Sequence, residues 1–307
     1  MLNVGATGWS PLSPSEEDEM PSLEWLIAEA LKEDLGSGDV TTTAIVDPHV
    51  KGRAEIIAKE TFVLSGIDVA IRTFSYLDPE IEAARYSSDG EEVPRGEVIC
   101  SLSGSVRALL GAERVALNFL QHLSGIATFT RRFVKEIEEA FQSEGLSEIT
   151  CWILDTRKTT PLLRSLEKQA VRHGGGKNHR FGLFDGVLIK ENHIVAAGGS
   201  VKEAIRRAKS AVHHLLKIEV EVENLSQLRE AIEAGADMVL LDNFTVDEVK
   251  EAVAMCRGVI PCEISGGVSL SNVRLFAKTG ANFISAGAIT HSAPAVDISM
   301  KLREIWE

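Results

Sequence analysis

From residue 151 onward, short apolar segments alternate with helical segments, and each apolar segment ends in polar or glycine residues. A repeat of this kind every 20–30 residues predicts a parallel β-sheet whose strands are joined by helical crossovers. The predicted strands are 151–154, 186–189, 215–222, 238–241, 262–264 and 283–285. The helices predicted between them are 201–212, 225–234, 246–255 and 269–279.

Two arrangements of such a sheet compete, an open doubly wound sheet and a closed barrel. The dinucleotide-binding form of the open sheet has a Gly-x-Gly-x-x-Gly turn after its first strand, and no such turn follows residues 151–154. In a barrel, functional side chains gather where the strands end, which is where the polar residues of this sequence fall. The sequence therefore predicts an α/β fold with a C-terminal (β/α) barrel.

The N-terminal half has a different pattern, which favours a smaller α+β domain. Residues 22–35 predict a helix with Ser22 as its N-cap and Gly36 as its stop. Between residues 40 and 104 the sequence predicts short strands broken by turns. The clearest of these strands are 54–58, 62–64 and 98–102, and a long helical region interrupted near Ser124-Gly125 follows at 112–141.

Composition excludes several classes of protein. The net charge of −13 argues against nucleic acid or an anionic membrane as the main partner. No stretch approaches the roughly 18–20 uninterrupted apolar residues needed to cross a bilayer. Residues 1–21 lack the basic start and apolar core of a signal peptide, and we interpret them as a flexible acidic tail. The four cysteines form no CxxC pair, so we expect neither a zinc site nor a disulfide scaffold, and a cytoplasmic location.

Positive charge is concentrated between residues 151 and 193. This window holds eight Lys/Arg and four Asp/Glu, a net charge of +4 in an otherwise acidic chain. A solvated surface could explain the cluster, but its members fall at predicted strand ends. A site for an anionic ligand is the alternative that we favour.

Three segments of this window carry candidate ligand-binding cations. Arg157 and Lys158 follow a predicted strand, and an arginine there can grip a carboxylate or phosphate in a fork, although an ordinary surface turn is also possible. His179 and Arg180 follow three glycines that would let backbone approach a ligand; a flexible linker is the alternative. Lys190 ends an apolar strand, where it would act as an anion clamp or as a Schiff-base amine.

Two carboxylates and two glycine turns complete the candidate site. Glu221 and Asp242 end neighbouring predicted strands and suit ribose hydroxyls or Mg²⁺ bound through water, or they serve as counter-ions to the lysines. Glu219 shares a face with Glu221, so the assignment between them stays open. Loops after the last two barrel strands commonly form a phosphate cup. The candidates for such a cup are Ser265, Gly266, Gly267, Ala286, Gly287 and His291.

Together these segments resemble the quinolinate phosphoribosyltransferase family from about residue 23 to the C-terminus. The matching blocks are EDLGSGDVTT (33–42), ALNFLQHLSGIAT (116–128), DTRKTTP (155–161), GGGKNHR (174–180), LFDGVLIKENH (183–193), EVEVEN (219–224) and EISGG (263–267). The resemblance implies an irregular (β/α) barrel over residues 126–292 and an N-terminal α+β sandwich domain over 22–125 completed by 293–307. It also implies conversion of quinolinate and phosphoribosyl pyrophosphate to nicotinate mononucleotide, pyrophosphate and CO₂, with Mg²⁺ as the cofactor.

The same resemblance implies a role for each candidate residue. Arg157, His179 and Arg180 would grip the quinolinate carboxylates. Arg114, on a helix that otherwise predicts only a packing face, would reach the site from the other subunit of a homodimer, with a higher oligomer possible. Phosphoribosyl pyrophosphate and its metal would be handled by Lys158, Lys190, Glu221 and Asp242. Its 5′-phosphate would be surrounded by Ser265, Gly266, Gly267, Ala286, Gly287 and His291.

The sequence departs from the family's pattern at two positions. Leu162 stands where the family usually has glycine, and Gln169 where an aromatic residue is expected. Three alternatives to the expected activity remain: a same-fold paralogue associated with molybdate transport that acts on another base, an aldolase-type barrel that uses Lys190 as a Schiff-base amine, and a catalytically silent ligand sensor. The full set of carboxylate-binding cations favours a dicarboxylate over a monoacid.

Overall fold

A computed structural model describes residues 22–307 as two β-rich parts that share one long helix. The helices are α1 (Leu23–Leu35), α2 (Val40–Ile45), α3 (Ile67–Leu77), α4 (Val106–Ser143), α5 (Arg164–His173), α6 (Glu191–Ala196), α7 (Val201–Ala211), α8 (Leu225–Glu233), α9 (Val246–Cys256), α10 (Val273–Ala277) and α11 (Ala288–His291). The strands are β1 (Lys51–Ala58), β2 (Phe62–Val63), β3 (Glu82–Arg85), β4 (Glu92–Val93), β5 (Val98–Ser105), β6 (Trp152–Leu154), β7 (Val187–Ile189), β8 (Ile218–Val222), β9 (Met238–Asp242), β10 (Cys262–Ser265), β11 (Phe283–Ser285) and β12 (Ile298–Trp306).

The second part is the predicted barrel. Its six strands lie in the order β6-β11-β10-β9-β8-β7, and each strand runs parallel to its neighbours. Strands β7 to β11 are neighbours in chain order, and the last of them pairs with the first strand, β6. This cyclic order is that of a barrel wound in one direction, because a doubly wound sheet would reverse direction part of the way. The predicted α/β barrel is confirmed.

The barrel is irregular because no ladder joins β6 to β7 in the part of the chain that the structure describes. At this seam Lys177 forms a parallel bridge with Leu154. The Lys177 N–H donates to Ile153 O at 2.9 Å, and its carbonyl accepts from the Asp155 N–H at 3.2 Å. The glycine-rich segment therefore lies along the β6 edge and continues the sheet toward the seam.

The first part is a four-stranded antiparallel sheet in the order β12-β1-β5-β3. Strand β12 comes from the end of the barrel and pairs with β1 over the whole of both strands, from Lys51↔Trp306 to Ala58↔Ile298. The smaller N-terminal sheet domain is thus present. The exact domain bounds stay a prediction, because α4 runs without a break across residues 125 and 126. The predicted flexible tail, 1–21, lies outside the described residues.

Helix α4 is continuous where the sequence predicted an interruption. A Cβ at Gly125 would collide with the carbonyl oxygen of Pro294, so this glycine permits close packing and does not break the helix. Ser124 is also used in packing. Its Oγ accepts from the Ser65 N–H at 3.0 Å and donates to Ser65 O at 3.2 Å.

Helices α2 and α3 were predicted as parts of a strand-rich region, and that prediction was wrong for both. Asp39 caps α2 by accepting from the Thr42 N–H at 2.9 Å. The first N–H of α3, on Ile67, donates to Asp89 Oδ1 at 3.1 Å, a cap supplied from 22 residues away. Helix α1 matches its prediction, with Ser22 Oγ accepting from the Trp25 N–H at 3.1 Å and Gly36 at the C-cap. Within residues 22–307, no helix has the length and apolar composition needed to cross a membrane.

Candidate active site

The carboxyl ends of the barrel strands surround a cavity of about 770 Å³. Thirteen of the fourteen predicted site residues line it, as expected if strand-end side chains converge at one mouth of a barrel. They are Arg157, Lys158, His179, Arg180, Lys190, Glu221, Asp242, Ser265, Gly266, Gly267, Ala286, Gly287 and His291. The fourteenth, Arg114, is exposed on α4 and does not line the cavity of its own chain.

Arg157 and Lys158 lie on the loop that connects β6 to α5, and their side chains are exposed. The backbone of this loop is fixed at several points. The Lys158 N–H donates to Thr156 Oγ1 at 3.0 Å, and the Lys158 carbonyl accepts from Thr290 Oγ1 at 2.7 Å. The Thr160 N–H donates to the buried carboxylate of Glu167 at 3.2 Å. Two exposed cations are thus held on an ordered backbone.

A buried ionic network fixes the start of the second cationic segment. Asp155, fully buried at the end of β6, accepts from Lys168 Nζ at 2.5 Å, from Asn178 Nδ2 at 2.5 Å and from the His179 N–H at 2.9 Å. Lys168 Nζ also donates to His179 O at 3.0 Å. Burial raises the pKa of Asp155, and the charge of Lys168 opposes that shift. Lys168 and Asn178 were not among the residues predicted to take part in the site.

The three glycines before this segment serve packing, contrary to the prediction that they approach a ligand. A Cβ at Gly174 would lie 2.5 Å from both Ala127 O and Thr130 Cβ, and one at Gly176 would lie 2.8 Å from Thr130 Cγ2. Gly175 has a φ of +90°, which favours glycine. The segment thus turns closely against α4 and brings His179 and Arg180 to the cavity.

His179 is held by the protein at both ring nitrogens. Its Nδ1 accepts from the Arg180 N–H at 2.7 Å, which leaves the proton on Nε2, 3.0 Å from Glu219 Oε2. Burial lowers the pKa of His179, but the hydrogen bond to Glu219 and the charges of Glu263 and Glu219 outweigh it, and the pKa is raised. His179 can therefore bind a substrate carboxylate only if Nε2 exchanges Glu219 for it. Glu219 and Glu221 are thereby distinguished, because only Glu221 lines the cavity.

Glu263 was not predicted to take part in the site, although its block matched the family. Its side chain is fully buried in β10, and neither carboxylate oxygen has a hydrogen bond within the described residues. Burial and the neighbouring charge of Glu219 raise the pKa of Glu263 to about 8. The signal in the sequence was a charged residue within a short apolar strand.

Lys190, directly after β7, lines the cavity and is not buried in the apolar core. Its side chain is 47% exposed and pairs with Glu221, with Nζ 2.6 Å from Oε2. Glu221 on β8 pairs in register with Leu240 on β9, so Asp242 follows two residues further along the same face. The two carboxylates therefore lie on adjacent strands, and Lys190 pairs with the first of them.

The two glycine turns after β10 and β11 line the cavity on the β6 side of the barrel. Gly266 and Gly267 have φ values of +85° and +62°, and a Cβ on Gly266 would collide with the side chain of Asn243. A Cβ on Gly287 would lie 2.8 Å from Lys158 Cδ and 3.2 Å from His291 Cδ2. The first turn therefore requires glycine at position 266, and the second brings the backbone of Gly287 close to the Lys158 side chain.

This fold and cavity define a class of protein, an α/β barrel with a cavity lined by cations and carboxylates at the carboxyl ends of its strands. Family models narrow the class further. The model for the N-terminal domain of quinolinate phosphoribosyl transferase matches residues 39–124, and the model for its C-terminal domain matches residues 126–301. The chain belongs to the quinolinate phosphoribosyl transferase family.

Individual relatives agree with this assignment along nearly the whole chain. A probable nicotinate-nucleotide pyrophosphorylase (carboxylating) of Bacillus subtilis is 45% identical and covers 91% of this chain and 92% of its own length. One from Methanocaldococcus jannaschii is 43% identical over 90% of this chain and 96% of its own. The structure of the nicotinate-nucleotide pyrophosphorylase from Francisella tularensis superposes with a TM-score of 0.85 at 41% identity, covering 93% of this chain and 99% of that one.

Proposed function

We propose that this chain transfers the phosphoribosyl group of phosphoribosyl pyrophosphate to quinolinate with decarboxylation, giving nicotinate mononucleotide, pyrophosphate and CO₂ in NAD biosynthesis. Family membership supports the activity. The observation that carries it in this chain is that two arginines, Arg157 and Arg180, line the same cavity close enough to repel one another. Burial and the positive charge of Arg157 lower the pKa of Arg180. Arg180 Nε is buried and without a hydrogen-bond partner in the described residues, so a dicarboxylate would satisfy a free donor and relieve the repulsion.

Quinolinate would be bound by Arg157 and Arg180, joined by His179 once its Nε2 is released from Glu219. Arg180 is oriented for this role because its Nη1 donates to Gly186 O at 2.9 Å. Phosphoribosyl pyrophosphate would lie across Lys158, Lys190, Glu221 and Asp242. The residues around its 5′-phosphate would be Ser265, Gly266, Gly267, Ala286, Gly287 and His291.

Catalysis in this arrangement is mainly positioning and charge stabilisation. The ribose C1′ carbon becomes cationic as pyrophosphate leaves, and the carboxylates of Glu221 and Asp242 suit that charge. Lys158 and Lys190 suit the departing pyrophosphate. Loss of CO₂ from the pyridinium ring then leaves an electron pair on a ring carbon, which the positive ring nitrogen stabilises until a proton takes its place. No covalent enzyme intermediate is needed.

The donor set also fits Mg²⁺. Glu221 and Asp242 present hard carboxylate oxygens on adjacent strands at the cavity wall, the type of ligand this ion prefers. One oxygen of Glu221 is already occupied by Lys190, which favours contact through water or through the substrate. When bound, the ion would neutralise charge on the pyrophosphate.

The proposal includes a cytoplasmic homodimer, with a higher oligomer possible. Arg114 is exposed and outside its own cavity, which is consistent with donation to the site of a second copy. The alternative activity, that of a molybdate-associated paralogue, is not favoured, because the relatives quoted above are named for the carboxylating reaction. The Schiff-base alternative is weakened by the ion pair, since an amine engaged by Glu221 is not free to attack a carbonyl.

A direct test combines the purified protein with quinolinate, phosphoribosyl pyrophosphate and Mg²⁺ and measures released CO₂ and nicotinate mononucleotide together. A silent sensor would bind the substrates and form neither product, and a Schiff-base enzyme would be trapped on Lys190 by borohydride. Arg157→Ala should lower kcat/KM for quinolinate, because it removes one charge-assisted fork. The loss should correspond to about 2–4 kcal/mol of transition-state stabilisation. The control is Arg172→Ala, an exposed arginine on α5 that does not line the cavity. Unchanged kinetics in Arg157→Ala would overturn the carboxylate assignment.

A further inference from the structure

Arg164, at the start of α5, connects the two loops that carry the cavity arginines. Its Nε donates to Thr159 Oγ1 at 2.9 Å and its Nη2 to Arg157 O at 3.3 Å, both on the loop after β6. Its Nη1 donates to Phe181 O at 3.1 Å, one residue beyond Arg180 on the segment that leads to β7. One half-buried guanidinium is thus bonded to both segments.

The position of this bridge matters because the barrel is open there. The segments that carry Arg157 and Arg180 flank the seam between β6 and β7, two strands that no ladder joins within residues 22–307. Elsewhere around the barrel, ladders between adjacent strands hold the strand ends at fixed separations. At the seam, the backbone bonds of Lys177 to β6 and the bonds of Asp155 to Asn178 and His179 hold the two segments together as far as His179. Beyond that point, Arg164 connects Arg157 O with Phe181 O, on either side of the cavity arginines.

The chemistry of the bridge requires arginine. Three acceptors in different directions are met by three nitrogens of one planar group, an arrangement that the single ammonium of lysine cannot reproduce. The guanidinium carbon of Arg164 also lies 6.0 Å from the centre of the Phe181 ring, within the range of a cation–π contact. Arg164 does not line the cavity, so it acts on a ligand only through its neighbours.

We infer that Arg164 is a positioning residue that sets the separation of Arg157 and Arg180, and so selects a ligand with two adjacent carboxylates. This inference rests on the proposed function of the same two arginines. A dicarboxylate that spans both arginines depends on their separation, whereas a monocarboxylate can be held by one of them. Loss of the Arg164 bridge therefore weakens the binding of dicarboxylates more than the binding of monocarboxylates.

The test compares Arg164→Lys with the wild-type protein, using two probes in calorimetric titrations without phosphoribosyl pyrophosphate. The probes are benzene-1,2-dicarboxylate and benzoate. We expect the variant to lose at least tenfold in affinity for the dicarboxylate and less than threefold for benzoate, and to show a raised quinolinate KM with the KM for phosphoribosyl pyrophosphate within twofold. Arg172→Ala, on the same helix and exposed, should match the wild type in every measurement.

Two outcomes would overturn the inference: unchanged binding of the dicarboxylate, or an equal loss for both probes. If Arg164→Lys does not fold, Thr159→Val replaces it, since this variant removes one acceptor of the bridge with little change in volume. It should give a smaller loss with the same selectivity, and equal losses for both probes would again overturn the inference. A wild-type protein that forms no nicotinate mononucleotide would instead refute the proposed function, independently of how Arg164→Lys behaves toward the two probes.

Discussion

The variant Leu162→Ala should have a lower free energy of unfolding than Leu162→Gly, the reverse of the usual order of these two residues. Leu162 lies just after Pro161 with a φ of +68°, in the left-handed region, and its side chain is 62% exposed. Holding a non-glycine residue there costs about 1–2 kcal/mol. Glycine removes that cost but loses about 0.4–1 kcal/mol through the greater entropy of the unfolded chain.

The comparison with alanine isolates the backbone contribution. Alanine and glycine both remove the partly buried leucine side chain, so the lost packing cancels between the two variants. The difference that remains should make Leu162→Gly more stable than Leu162→Ala by about 1 kcal/mol. Urea denaturation, with equal m-values in both variants, measures this difference as a shift in midpoint.

Gln169 provides the matched control for this prediction. It is exposed within α5, where the backbone is helical, so Gln169→Ala should be more stable than Gln169→Gly by about 1 kcal/mol. The difference in free energy of unfolding between the glycine and alanine variants should thus have opposite signs at positions 162 and 169. If alanine is at least as stable as glycine at position 162, the reasoning from backbone strain is refuted.

Two further predictions concern buried ionisable groups. Lys168→Met should lower the free energy of unfolding by about 3–5 kcal/mol, because it leaves Asp155 as a buried charge without its cation. Adding Asp155→Asn should recover part of that loss, and additive effects of the two substitutions in chemical denaturation would contradict this. The pKa of Glu263, raised from 4.5 to about 8 by burial and by Glu219, means that the folded protein binds more protons than the unfolded chain between those pH values. The free energy of unfolding should therefore fall as pH rises through that window, and it should fall less in Glu263→Gln. If urea denaturation from pH 5 to pH 8 gives the same dependence on pH for both proteins, the raised pKa of Glu263 is wrong.

The features of the fold that could be predicted from sequence were those with a local pattern. All six barrel strands were predicted, because each is a short apolar run that ends in polar residues. Helix α3 was missed because its N-terminus is capped by Asp89, a distant residue that no local rule connects with Ile67. The prediction of a break in α4 failed for a related reason, because Gly125 packs against Pro294, which is far away in the sequence.

The candidate site shows the same division. Residues at strand ends, such as Lys190 and Asp242, could be placed from the strand pattern together with the rule for barrels. The roles of Lys168, Arg164 and Glu263 could not be predicted, since the contacts of the first two and the burial of the third depend on how segments fold over one another. The glycines at 174–176 were predicted to touch ligand for lack of any sequence signal that α4 lies against them.

The pairing of β12 with β1 means that the N-terminal sheet can be completed only late in the synthesis of the chain. Residues 298–306 leave the ribosome only after the entire barrel has been synthesised, whereas their partner, residues 51–58, emerges near the start. Until then one long edge of the N-terminal sheet is open, with the hydrogen-bonding groups of β1 exposed to other chains. A nascent chain is therefore most open to mispairing during the period in which its barrel can already form.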